Sequence, residues 1–294
     1  MTQKVIHIPR INDERSDFAS LFNIWGQVND YFEDVRFDFS QCGFLRPNAV
    51  AFLGGLARLI ESRAGAVVFD WKTLTNSWVR TTIRQNGFAG TFGDPSSRWD
   101  GDSIPYREDK VRNPNEIMDY LEHYWIGKGW IHISPRLMNA IVGHVWEIYN
   151  NAFEHSGSEI GVFSCGQRFK MSNDLILSVV DFGQGIPAKI RNFLSFDPRA
   201  KDLKASACLR WAFRAGTTTK TDEPGGSGLD LLKQFIAINQ GKLEVYSNEG
   251  YAIIDKDGER YENMAISFEG TAVQITLRCD ENLYQFQDEA DLPY

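Results

Sequence analysis

The stretch "VWEIYNNAFEHSG", Val145 to Gly157, carries two periodicities at once. Val145, Ile148, Ala152 and Phe153 recur at the spacing of an amphipathic helix and can face a core. Glu147, Asn151 and His155 recur every fourth residue, so a carboxylate, a carboxamide and an imidazole project from a second face of that helix. Taken alone, such a row reads as a solvated helix face. Its meaning depends on what the chain places around it.

Working outward, Ser134 and Pro135 open this helix as N-cap and first residue. Two strand-like runs follow it, "EIGVFSCGQRF" and "LILSVVDFG", joined by the polar turn "KMSND". Helices "PAKIRNFLSF" and "KASACLRWAFRAG" come next, then the breaker-rich "TTTKTDEPGGSG". Helix "LDLLKQFIAINQG" precedes strands "KLEVYSN", "YAIID", "MAISFE" and "TAVQITLR". Upstream, residues 1–93 alternate strands ("KVIHI", "VRFDFS", "AVVFDW") with helices ("DFASLFNIWGQVNDYF", "PNAVAFLGGLARLIESRAG", "SWVRTTIRQNG"), the pattern of a small α/β domain. The segment "GDPSSRWDGDSIPYREDKVR" loses its apolar period, so residues 94–113 read as a linker or surface loop. The expected organisation is therefore an α/β domain over 1–93, that linker, and a second domain over 114–294. In the second domain, helices collected beside consecutive strands predict a helix layer on a mixed, largely antiparallel sheet.

Composition narrows the function classes. The 294 residues suffice for two ordinary domains. A formal charge of -8 argues against a nucleic-acid binder as the default, while leaving room for a local basic pocket. The start "MTQKVIHIPR" lacks the apolar run of a signal peptide, and no stretch reaches membrane-spanning length. Cys42, Cys165, Cys208 and Cys279 are scattered without a CxxC pair, as expected of buried thiols in a reducing compartment. The expectation is a cytoplasmic protein with no nucleic-acid or membrane partner.

Three segments bear on the opening row. Asp181 ends an apolar strand and is followed by Gly183 and Gly185; a carboxylate there can accept from an exocyclic amine such as adenine's, and the glycines let a flat base approach the backbone. Gly225, Gly226 and Gly228 lead into a helix and place bare amides at its positive end, where phosphate is favoured. Gly270 and Thr271 open the last strong strand. An Asn oxygen such as that of Asn151 is a hard ligand suited to Mg²⁺, and Glu147 one turn away could activate an attacking water or hydroxyl.

This ordered set resembles the GHKL nucleotide-binding family of gyrases, heat-shock chaperones, histidine kinases and mismatch-repair ATPases. The likeness runs over residues 134–278: "EIYNNAFEH" is similar to the family's N-box, "DFGQG" to its first glycine box and "GGSGL" to its second. The resemblance implies ATP and Mg²⁺ as ligands. It implies Asp181 at the adenine amine with Thr271 in support, Asn151 as the Mg²⁺ ligand and Glu147 as the catalytic base. It further implies Gly183, Gly185 and Ile186 around the base, and Gly225, Gly226, Ser227, Gly228 and Leu229 at the phosphates. "TTTKTDEPG" corresponds to a lid, in which Lys220 is either a phosphate contact or a solvated lysine. His155 is either a helix-end packing residue or the His that follows the Asn in anti-sigma kinases.

The histidine-kinase branch requires a phosphoacceptor His on a dimerisation helix, a context that His7, His123, His132 and His144 lack. The gyrase-like branches carry a β-rich transducer after the ATP site, and no such segment follows the last strand of this sequence. Residues 3–93 in turn resemble a STAS domain, the fold of anti-sigma-factor antagonists, through "FDFSQCGFLRPNAVAFLGGLARLIESRAGAVVFDW". Where that family places its phosphorylated Ser, this chain has Arg46, Pro47 and Asn48, and the nearest hydroxyl is Ser40. The two resemblances together imply an ATP-binding regulatory protein with slow Mg²⁺-dependent hydrolysis coupled to lid closure. The alternatives are a serine/threonine kinase of anti-sigma type or a non-catalytic ATP-sensing switch. The partner implied is a STAS or sigma-factor-pathway protein, or a second copy of the chain.

Overall fold

The computed structural model describes residues 3–214 and 230–290. The N-terminal part runs β1 (Lys4–His7), α1 (Arg15–Val28), β2 (Val35–Asp38), α2 (Pro47–Ser62), β3 (Val67–Asp70), α3 (Ser77–Gln85) and the short α4 (Phe88–Thr91). Then come β4 (Ser103–Asp109), α5 (Pro114–Tyr120), α6 (Pro135–His155), β5 (Val162–Phe169), β6 (Asp174–Asp181), α7 (Ile186–Phe193) and α8 (Ala205–Ala212). The chain continues with α9 (Asp230–Asn239), β7 (Lys242–Ser247), β8 (Gly250–Asp255), β9 (Gly258–Asn263), β10 (Thr271–Arg278) and α10 (Gln287–Ala290).

Strands β1, β2 and β3 form a three-stranded parallel sheet in sequence order. The other seven form one sheet in the order β4-β5-β6-β10-β7-β8-β9. Every pairing in it is antiparallel, so the expectation of a mixed sheet is corrected. The cause is β10, which returns between β6 and β7 and runs opposite to both.

Side-chain alternation divides the large sheet into two cores. Leu175, Leu177 and Val179 of β6, Leu243 and Val245 of β7, and Val273, Ile275 and Leu277 of β10 pack with α5, α6 and α9. The opposite positions, among them Phe163, Val180, Phe182, Tyr246 and Ala272, pack with α1, α2 and the small sheet. Helix α2 is buried nearly all round, as befits a helix that shares a core with both sheets. Phe18 stacks on Tyr246 with ring centroids 4.0 Å apart, Phe22 on Phe268 at 4.3 Å, and Phe52 meets Phe182 at 5.1 Å. The N-terminal unit is thus bonded to the sheet by a continuous aromatic core.

Two further sequence expectations change. The segment read as a linker contains β4, an edge strand paired with β5 across a register shift between Ile104 and Arg107. Pro105 and the charges at 107–109 mask it in the sequence, and an edge strand tolerates both. The run "MAISFE", read as a strand, is irregular; the strand is β9, "GERYEN", which is polar because both its faces are largely exposed. Phe268 of "MAISFE" is instead fully buried among Phe22, Phe52 and Phe182. Among the described residues, no helix is long and apolar enough to cross a membrane.

Candidate nucleotide site

Helix α6 starts where its caps dictate, with the Ser134 hydroxyl accepting from Leu137 N–H at 3.2 Å and Pro135 in the first turn. It runs through the whole of "EIYNNAFEH" and ends at Ser156. Ile148 and Tyr149 are buried, Glu147 and His155 are half-buried, and Asn151 is exposed. The row of polar side chains is therefore on a face with access to solvent, one and two turns back from the helix end.

That end abuts the loop after β6. Ser156 C=O accepts from Gln184 N–H at 2.7 Å, and His155 C=O accepts from the Gln184 side-chain amide at 3.1 Å and from Lys189 Nζ at 3.4 Å. The approach is so close that a Cβ on Gly183 would lie 2.5 Å from Ser156 Cβ. Gly185 adopts a φ of 79°, and a Cβ there would lie 2.6 Å from the Asn248 amide. Both glycines of "DFGQG" are thus required by contact or by backbone conformation. The loop is pinned on its other side by Asn248, which donates to Gln184 C=O at 3.1 Å and accepts from Ala188 N–H at 3.1 Å.

Asp181 sits at the end of β6 on the α6 and α9 side of the sheet, in line with Leu175, Leu177 and Val179. The antiparallel register puts Thr271 opposite Asp181, and Ser247 opposite Thr271. A row of three polar side chains thereby crosses the sheet end, where the same face is otherwise apolar. Ser247 and Thr271 hydroxyls are 2.9 Å apart, and Ser247 accepts from Ile186 N–H at 2.8 Å. Asp181 is only 4% exposed, and its carboxylate accepts from Gly183 N–H at 3.0 Å. Burial pushes its pKa up to about 7, against the pull of hydrogen bonds from the Gly183 and Thr271 amides and the Ser156 hydroxyl.

The structure brings Asp181, Gly183, Gly185, Ile186 and Thr271 together beside the end of the helix that bears Asn151 and Glu147. Lys220, Gly225, Gly226, Ser227, Gly228 and Leu229 lie outside the described residues. Ser156, Lys189, Ser247 and Asn248 were not singled out from the sequence. Ser247 left a signal there: after Leu243 and Val245 it breaks the apolar alternation of β7 with a hydroxyl at the inward position. Ser156 and Asn248 act through backbone groups distant in sequence, which no local pattern marks. A separate trio, the exposed Asp119 and His123 with the half-buried Glu122, brings ligand atoms within 4.8 Å of one another on a different helix segment from Asn151.

No protein-family model matches this chain, and no curated protein matches it.

Proposed function

We propose that this chain binds ATP with Mg²⁺ at the end of β6, as a GHKL-type regulatory protein whose N-terminal unit is STAS-like, and that it hydrolyses the nucleotide slowly. The observation that carries this reading is the Asp181 carboxylate. A carboxylate offers about four acceptor sites, and the protein fills three of them, from Gly183, Thr271 and Ser156. The exocyclic amine of adenine is a donor that fits the remaining site and relieves the desolvation of a buried charge. Guanine would present a carbonyl oxygen at the same place and meet repulsion.

Two further features support it. The glycine loop at 183–185 is fixed by its close packing between Ser156 and Asn248, which holds the backbone after Asp181 in one conformation. On the exposed face of α6, Asn151 offers the hard oxygen that Mg²⁺ takes, and Glu147 stands one turn earlier. Bound Mg²⁺ would neutralise phosphate charge. Asn151 would orient it, and Glu147 would accept the proton of the attacking water.

The N-terminal unit fits a regulatory role better than one as in-chain phosphoacceptor. Arg46, without a hydroxyl, caps α2, and α2 packs on the sheet face opposite to Asp181. Calorimetric titration of the full chain with ATP, ADP and GTP tests the proposal. Adenine nucleotides should bind in preference to GTP, and Asp181→Asn should weaken ATP by about 1–3 kcal/mol, the scale of a lost buried hydrogen bond. Equal affinity for GTP, or an unaffected variant, removes the base pocket from Asp181.

A further inference from the structure

A second concave site lies in the N-terminal unit, at the carboxyl end of β3. Its cavity is about 200 Å³, bounded by the β3–α3 connection, α3, α4 and the start of the segment after α4, and open to solvent on one side. Leu74, Ile83 and Ala89 supply a buried apolar floor. Three cations, Lys72, Arg80 and Arg84, line it with a single carboxylate, Asp94.

That carboxylate is already committed. Asp94 Oδ2 accepts from Arg84 Nη2 at 2.8 Å and Nε at 3.2 Å, and its Oδ1 accepts from Ser96 N–H at 2.9 Å. Hydrogen bonds from Ser96 and Arg84 outweigh desolvation and hold its pKa at about 2, so it stays ionised and bound to its own partners. Arg80 donates to the Leu74 carbonyl, which fixes the guanidinium without neutralising it. Neither Arg80 nor Lys72 has an ion-pair partner among the described residues. Two uncompensated cations thus share one cavity in a chain of formal charge -8. Such a pocket lowers its own electrostatic energy by taking an anion.

We propose that this cavity binds a compact organic oxyanion, a carboxylate or a phosphate monoester, with its head between Lys72 and Arg80 and its apolar body on Leu74, Ile83 and Ala89. The volume falls below the range of about 300–1,000 Å³ typical of drug-sized ligands, which restricts the occupant to a small molecule. The site is independent of the nucleotide reading, being built on the other sheet.

The test is calorimetric titration of the full chain with phenyl phosphate, benzoate and benzyl alcohol at constant ionic strength. The aryl anions should bind, and the neutral alcohol of similar shape should not. Whichever anion binds more tightly identifies the head group, and either order supports the site. Arg80→Gln should weaken the anions at least tenfold. Because Arg80 also holds Leu74, Lys72→Glu provides a charge reversal at an exposed side chain, which should keep the unfolding transition of the wild type and abolish anion binding. Adenosine affinity should be unchanged in both variants. Benzyl alcohol binding as well as benzoate, no binding of either anion, or anion binding unaltered in Lys72→Glu would overturn the proposal.

Discussion

Replacing Asp181 by Asn removes a buried ionisation, and its effect on stability should depend on pH in a defined direction. The folded pKa of about 7 lies above the ordinary aspartate value of 3.8, so the folded chain holds this proton more tightly than the unfolded one. The stability due to the protonated form is fully present below pH 3.8 and is lost as pH rises towards 7. At about 1.4 kcal/mol per unit, the whole gap corresponds to roughly 4 kcal/mol, of which about 2 kcal/mol falls between pH 5 and pH 7. Asn cannot titrate. The stability of Asp181→Asn relative to wild type should therefore move by about 2 kcal/mol in the variant's favour from pH 5 to pH 7. Urea unfolding of both proteins, without nucleotide, at half-unit pH steps measures this difference directly. A difference that stays constant across the window would refute the assignment of a desolvated carboxyl at the end of β6. The same physics reaches the ligand: an amine donating to the carboxylate favours its ionised form. Adenosine, which has no phosphate to confuse the titration, should then lose affinity by up to about tenfold per pH unit below 7.

Other perturbations separate the roles within the site and the packing beneath it. Asn151→Ala should abolish the Mg²⁺-dependent part of ATP affinity while sparing adenosine, both read by calorimetry; equal loss of the two would make Asn151 a structural residue. Glu147→Gln should lower ATP turnover by about 10²–10⁴-fold in a phosphate-release assay and leave ATP bound, whereas unchanged turnover would return Glu147 to a solvated helix face. Gly55→Ala should destabilise by about 1–3 kcal/mol in chemical denaturation, although alanine is the better helix former. Its Cβ would lie 2.7 Å from Phe163 and closer still to Phe182; a neutral or stabilising result would show that α2 can shift from the sheet.

Where helical and strand periodicities were strong, the chain's local structure was legible without coordinates. Ser134 and Pro135 marked the start of α6, Pro47 that of α2, and the apolar run in "LILSVVDFG" marked β6 with Asp181 at its end. These are local properties: a cap, a missing N–H and a side-chain period act within a few residues. The polar row of "EIYNNAFEH" and the glycines at 183 and 185 could likewise be picked out, because residue type and spacing carry the chemistry. Edge strands could not. Strand β9 buries too little to show an apolar period, β4 hides its buried Ile104 and Tyr106 among Pro105 and the charges at 107–109, and "MAISFE" shows a period because Phe268 plugs a core built by distant helices. Only the tertiary structure decided that β10 enters between β6 and β7, since pairing partners are chosen by non-local hydrogen bonding and burial. That insertion sets Thr271 and Ser247 in line with Asp181, and the folding of α6 against the same sheet end brings Ser156 to the glycine loop. The raised pKa of Asp181 follows from this closure alone, because desolvation is a property of the surroundings and is written in no single segment of the chain.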